Sequence, residues 1–370
     1  MGGRFLLGVL ACALCPGCGE KPLEPPQAQD WFVERAKESG IDFVHVNGMS
    51  GKFYLAEIMA PGVGLLDFDK DGDLDLYLVQ GAGIGGQGAG VRDSGLSDRL
   101  YRNDLTVAPD GTRTLRFTDV TRESGLATAG YGMGVAAGDI DNDGWIDIYL
   151  TKYAAPNQLF RNNGNGTFTD ISRKSGTDQQ SWSVSASFAD VNRDGWLDLY
   201  VANYLQYRLD DVSPCFGASG SPGYCTPDGY QAVPDRLYLN RRDGTFADVS
   251  VKSGVTRTLG PGLGVATADF NGDGWIDIYV ANDGQENQLW MNRRDGTFED
   301  AALLSGVALP VTGKAEASMG VDAGDADGDG DEDLFMTELS GEGSNLFVND
   351  GSGSFEDRST PSGVGPASIA

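Results

Sequence analysis

The chain has 370 residues, with 54 acidic against 27 basic side chains, a formal net charge of -27, 54 glycines and one histidine. Hydrophobic residues make up 40% of it, enough for a sizeable core, but the charge repels nucleic acid and anionic membranes and argues against both as partners of the surface. His45 is the only residue that could serve a Ser-His-Asp triad, and a multi-histidine zinc site is excluded.

The chain opens on "MGGRFLLGVLACALCPGC", residues 1–18, with one arginine before an apolar run from Phe5 to Leu14. That run is too short to span a bilayer and suits an export signal. The stretch resembles a bacterial lipoprotein signal. The resemblance makes Cys18, preceded by Gly17, the lipidated residue, with Cys12 as the alternative and Cys15 standing where such signals usually carry Leu. It implies a cell-surface or outer-membrane lipoprotein, or a secreted chain, that reaches a membrane only through its N-terminal lipid. Cys12, Cys15 and Cys18 also spell C-x-x-C-x-x-C, but no fourth cluster ligand lies nearby. Residues 19–30 form a polar, Pro-rich tether, and residues 31–370 are the folded part.

The body begins with "DWFVERAKESGID", which matches "RFTDVTRESGLAT" from Arg116 and reads as the fourth strand and connection of an earlier unit. "IDFVHVNG" alternates like a strand and puts His45 on a strand face. Then comes "DFDKDGDLDL" from Asp67, the first of five copies of D-x-[DN]-x-D-G-x-x-D-[IL]. The others start at Asp139, Asp190, Asp269 and Asp325. Calcium takes six to eight hard oxygen ligands in a flexible shell. Side chains at positions 1, 3 and 5 converge, glycine at 6 permits the turn, position 7 offers its carbonyl and position 9 closes the shell.

The candidate ligands of the first loop are Asp67, Asp69, Asp71, Asp73 and Asp75; of the second, Asp139, Asp141, Asp143, Trp145 and Asp147. The third offers Asp190, Asn192, Asp194, Trp196 and Asp198, and the fourth Asp269, Asn271, Asp273, Trp275 and Asp277. The fifth offers Asp325, Asp327, Asp329, Asp331 and Asp333. About five calcium ions would occupy them. An EF-hand would place Glu at position 12, where this chain has Leu78, Leu150, Val201, Val280 and Met336. Strand-like runs such as "DIYLTKY" and "DIYVAND" follow the loops, so each loop joins two strands.

After the second strand each unit carries a hairpin, as in "NQLFRNNGNGTFTDIS", and then a Ser-Gly connection: Ser124-Gly125, Ser175-Gly176, Ser253-Gly254 and Ser305-Gly306. The chain is therefore all-β, built of four-stranded propeller blades with a calcium loop in each. The loops are spaced by 72, 51, 79 and 56 residues, with insertions at 80–98 and 204–234. In the first insertion "GAGIGG" matches a dinucleotide fingerprint but lacks a following helix, so it reads as a loop. In the second, Cys215 and Cys225 flank a Gly/Ser/Pro loop and form a disulfide that staples a surface excursion. "SFEDRSTPSGVG" near the end has the phase of the start, so either an N-terminal outer strand completes the last blade or the chain stops within a repeat.

The units, "YGMGVAAGDIDNDGWIDIYL" above all, resemble the FG-GAP/VCBS repeats of integrin α-chain propellers and of the cartilage acidic protein family, over nearly all of residues 31–360. The resemblance implies a calcium-bearing β-propeller and an extracellular protein or glycan ligand. Longer relatives continue into an ASPIC/UnbV module, which this sequence does not include.

Three functions compete: an adhesion or scaffold module, a lectin, and a polysaccharide lyase or hydrolase. Trp145, Trp196 and Trp275 either pack between blades or stack on sugars. An enzyme would need an acid/base set outside the loops, and His45, Tyr54, Glu57 and Lys314 show no mutual spacing rule.

Overall fold

The computed structural model describes residues 32–84, 91–92, 95–210, 214–216 and 220–369. The signal and tether, with Cys18, lie outside them, as do parts of both insertions. Two units are distinguished, ending and starting at Arg35 and Ala36, and every element below belongs to the second.

Five four-stranded antiparallel sheets follow one another, each a simple meander in chain order. Their first strands are Val63–Leu66, Tyr131–Gly138, Ser183–Ala189, Gly262–Ala268 and Gly320–Gly324. The second strands start at the position-9 aspartates: Asp75–Leu78, Asp147–Tyr153, Asp198–Asn203, Asp277–Asn282 and Asp333–Thr337. Third and fourth strands form the expected hairpins, as in Gln158–Asn162 and Phe168–Asp170. In the second sheet Asp147 pairs with Gly138 at the loop end, and Tyr153 with Tyr131 at the far end.

Period-two alternation sends every other side chain towards the next sheet. Leu66, Phe68 and Tyr77 of the first sheet pack on Ile148, Leu150 and Phe160 of the second. Ala136 and Tyr149 of the second meet Leu199 and Val201 of the third. The same seam recurs between the third and fourth sheets, and between the fourth and fifth. Val63 and Leu65 on the first sheet and Phe335 on the fifth are exposed, while Tyr149, Tyr200 and Tyr279, equivalent to Phe335, are buried.

The Ser-Gly connections contain a single helical turn, Thr121–Ser124, Ser172–Ser175, Ser250–Ser253 and Ala302–Ser305. The fourth-strand aspartate starts each turn: Asp170 Oδ1, for example, accepts the Ser172 N–H at 2.9 Å. The following glycine ends it in the left-handed region, with φ near 80° at Gly125, Gly176 and Gly306. The Ser172 hydroxyl also accepts the Leu159 N–H at 2.9 Å, tying the turn to the third strand. In the fourth sheet Ala302 has no hydroxyl, and Asp300 accepts the Leu289 N–H instead, at 3.3 Å.

Two expectations are corrected. Phe32–Arg35 carries no strand, and the fifth sheet takes its fourth strand from its own Phe355–Asp357. The segment holding His45 is not a strand and has no partner strand among the described residues: the Gln80 side chain pairs with it, accepting from Val46 N at 2.8 Å and donating to Val44 O at 3.0 Å.

The insertions also do more than loop outward. The disulfide Cys215–Cys225 is present and closes an exposed two-stranded pair, Cys215–Phe216 with Pro222–Gly223. The chain leading to it, however, buries Tyr204, Leu205, Tyr207 and Leu209 with Tyr54, Tyr131, Tyr153 and Trp182. This aromatic cluster caps the strand ends opposite the acidic loops. "GAGIGG" enters another two-stranded pair, Gly83–Ile84 with Val91–Arg92, rather than a phosphate loop. Among the described residues no helix is long and apolar enough to cross a membrane.

Candidate functional site

The acidic loops share one internal wiring. The position-1 carboxylate accepts the N–H groups of positions 5 and 6: in the second loop Asp139 takes Asp143 N at 3.2 Å and Gly144 N at 2.7 Å. Asp67, Asp190, Asp269 and Asp325 do the same. The position-5 aspartate then accepts the N–H of position 7, as Asp143 does from Trp145 at 2.9 Å. Glycine at position 6 has φ between 82° and 99°, where a side chain would be strained.

The position-9 aspartates are buried and span two elements. Asp147 accepts Ile140 N within the loop at 3.0 Å and Asn162 N from the third strand at 2.7 Å. Burial pushes Asp75 up to about 6, and Asp147, Asp198 and Asp277 up to about 7.

In three loops the carboxylates converge. Asp67, Asp69 and Asp71, then Asp139, Asp141 and Asp143, then Asp325, Asp327 and Asp333 each bring one oxygen within 4.8 Å of the others. Burial, then the neighbouring Asp71 and Asp143, raise Asp69 and Asp141 above the usual carboxylate range. Asp69 Oδ1, Asp141 Oδ1 and, in the fourth loop, Asp277 Oδ2 are buried without a hydrogen-bond partner. Hard oxygens left in this state suit a divalent cation, so the donor set fits calcium.

The third and fourth loops are wired differently. Asn192 and Asn271 replace the position-3 aspartate, and an arginine from the adjoining hairpin takes up the position-5 aspartate. Arg242 Nη2 lies 2.9 Å from Asp194 Oδ2, and Arg294 Nη2 lies 2.6 Å from Asp273 Oδ2. Against the burial that would raise them, these guanidinium groups hold both carboxyls below their usual range.

The loop tryptophans do not share one role. Lys70 Nζ sits over Trp145, 4.3 Å from the ring centre, and Arg193 lies over Trp275 at 5.6 Å. Both cations occupy position 4 of the preceding loop, in the left-handed region. Position 4 before Trp196 is Asn142, whose side chain instead donates to Gly195 O at 2.9 Å. The tryptophans buried in packing are two others, Trp182 and Trp290.

Sequence reasoning missed the asparagine that ends each third strand. Its amide bridges two loops. Asn162 Nδ2 donates to Ile146 O in its own sheet at 3.2 Å and to Phe68 O in the preceding sheet's loop at 2.9 Å. Asn240 reaches Ile140 O, Asn292 reaches Val191 O and Asn349 reaches Phe270 O, each at 2.8 Å. Asn103, in the first sheet, donates to its own Leu74 O and, among the described residues, to no second loop. The signal was the recurring "LYRN", "LFRN", "LYLN", "LWMN" and "LFVN".

Of the proposed acid/base residues, Tyr54 and Glu57 share one helical turn, with Glu57 N donating to Tyr54 O at 2.9 Å. The Glu57 carboxylate accepts Ser50 N at 2.8 Å, Tyr54 is in the aromatic cluster, and Lys314 is on an exposed loop. Burial lowers His45, and its Nε2 has no partner.

FG-GAP-like repeats match residues 67–150, 142–201, 224–280 and 269–336. Cartilage acidic protein 1 of Homo sapiens is 27% identical over 237 residues, covering 63% of this chain and 32% of that protein. The Mus musculus protein is 28% identical over 226 residues, covering 50% and 34%. The chain thus spans about a third of the length of these curated relatives. Among solved structures, an Agrocybe aegerita lectin described as recognising non-reducing terminal N-acetylglucosamine aligns at TM-score 0.39 and 18% identity, covering 80% of this chain and 64% of that one. The Vibrio cholerae biofilm matrix protein Bap1 aligns at 0.36 and 16%, covering 80% and 38%.

Proposed function

Because the chain belongs to the FG-GAP-like repeat family, we propose that it is an exported, calcium-stabilised module that binds an extracellular protein or glycan and does no chemistry on it. The observation that carries the calcium part is the set of buried, unpartnered oxygens on Asp69, Asp141 and Asp277. Asp67, Asp71, Asp139, Asp143, Asp325, Asp327 and Asp333 complete the shells that would hold the ions. Calcium there supplies charge neutralisation and a rigid rim, and its binding energy adds to folding energy. Binding is favoured over turnover because the repeated rim presents many side chains to solvent. The export signal and the lipid on Cys18 belong to the same proposal, as do about five ions.

The test is metal content and thermal unfolding of the purified chain in about 2 mM calcium and in EDTA. We expect bound calcium and a large rise in melting temperature. Unchanged melting with no bound metal overturns the metal sites. Turnover of an acidic polysaccharide overturns the non-enzymatic reading.

A further inference from the structure

A cavity of about 440 Å3 opens between the second and third sheets, beside the second and third acidic loops. Trp196, Arg161, Lys174, Arg242 and Asp141 are among its lining. Trp145 and Trp275 have a cation over their rings, whereas the residue that would cover Trp196 is Asn142, engaged with Gly195 O. Of the three equivalent tryptophans, Trp196 is the one left to line a cavity without a cation over its ring.

The charges around it are unusual for a chain of net charge -27. Three cations contribute to the lining. Lys174 makes no ion pair among the described residues. Arg161 is 3.8 Å from Asp141, and Arg242 is held by Asp194 at 2.9 Å. The other lining carboxylates are committed to turns: Asp170 Oδ1 accepts Ser172 N at 2.9 Å, and Asp243 Oδ1 accepts Thr245 N at 3.0 Å. The cavity therefore offers a flat half-buried ring and three cations beside three carboxylates, of which Asp170 and Asp243 each give one oxygen to a turn and Asp141 belongs to the acidic loop.

We propose that this cavity binds an acidic sugar unit of a glycan, its apolar ring face stacked on Trp196 and its carboxylate or sulfate met by Lys174 and Arg161. An indole matches the C–H face of a pyranose, and a guanidinium fork matches a planar acid. The volume falls within the range of small-ligand sites. The assignment rests on the binding-module reading and narrows it to one ligand chemistry.

The test titrates the full chain, in calcium, with a tetramer of galacturonic acid, a sulfated heparin tetrasaccharide and neutral galactotetraose. We expect an acidic probe to bind, the neutral one to bind at least tenfold more weakly, and added salt to weaken binding. The acidic probe that binds identifies carboxylate or sulfate as the group read. Trp196→Ala and Lys174→Glu should each weaken binding at least tenfold, and Leu304→Ala, on an exposed turn away from the cavity, should leave it within twofold. Lys174 is exposed, so its variant keeps the test valid if Trp196→Ala fails to fold. Binding unchanged in Lys174→Glu, equal binding of the neutral probe, or no binding of either acidic probe overturns the proposal. A panel of other glycans and matrix proteins, run alongside, separates the two readings. A ligand found there that ignores Trp196 keeps the binding module and removes this site, and no ligand anywhere removes both.

Discussion

Trp145 and Trp182 sit at opposite ends of neighbouring sheets, and their surroundings could hardly differ more. Trp145 lies half-buried under an ammonium group, in a rim of carboxylates held by backbone N–H groups. Trp182 is buried against Tyr153, Tyr204 and Tyr207, with ring centres 4.7 to 5.1 Å apart. The acidic rim repeats because each unit brings its own loop. The aromatic rim does not repeat, because it draws on Tyr54 ahead of the first sheet and on the insertion after the third sheet's second strand. One rim is organised by charge and geometry, and so answers to ions. The other is held by burial of apolar area, which calcium does not touch.

The comparison can be broken at several points. Calcium removal should have the largest effect, confined to the acidic rim: EDTA lowers the melting temperature by many degrees and exposes amides near the loops to hydrogen exchange, while the Trp182 region stays protected until global unfolding. Equal loss of protection at both rims would erase the distinction. The same titration should separate two kinds of loop. The first, second and fifth, with four ligand carboxylates, fill first; the third and fourth, softened by Asn192 and Asn271 and by the arginines, fill at higher calcium. Arg294→Ala should move the fourth loop towards tighter binding, and a single class of five equal sites would dismiss that ranking.

Trp182→Ala should cost about 3–5 kcal/mol in denaturant unfolding, by opening a cavity among tyrosines. Its calcium affinity should not change. Asn292→Ala should cost about 1–3 kcal/mol, since it strands the carbonyls of Val191 and Ile276. Asn103→Ala, which spans no second loop, should cost less, and equal losses would remove the inter-sheet clamp.

A pH-dependent effect belongs to Asp235, beside the aromatic rim. Burial raises it to about 7, against hydrogen bonds from Asn203 N and the Tyr200 hydroxyl. A carboxyl raised in the folded state contributes stability that is complete below its unfolded pKa near 4 and is lost as pH climbs through about 7. Stability contributed by this group should therefore fall between pH 4 and 7, and Asp235→Asn should flatten that slope in calcium-saturated protein.

The strands, the loops and the disulfide were legible because they repeat or because their partners are near in sequence. The loop register could be counted from Asp139 to Asp147, and Cys215 lies ten residues from Cys225. What escaped depends on distance along the chain. Asn240 repeats as visibly as any loop aspartate, but its acceptor on Ile140 is 100 residues away, in a different unit. Tyr207 looked like part of an excursion, yet its hydroxyl accepts the Leu55 N–H from 152 residues away. The arginine partners were hidden for another reason: "NRRDGTF" occurs twice with two adjacent arginines, and only the hairpin turn decides that Arg242 and Arg294 face the loop.

The asparagine bridge has a directional consequence. Each amide reaches back to the loop of the sheet before it, so every loop from the first to the fourth is gripped by its successor. Pulling on the chain from its C-terminal end would load these links in series, and the weakest interface would set the yield force for the whole row. An ion lost from an interior loop would loosen its own strands and the grip of the next sheet, so damage would travel in one direction, from the emptied loop to its follower.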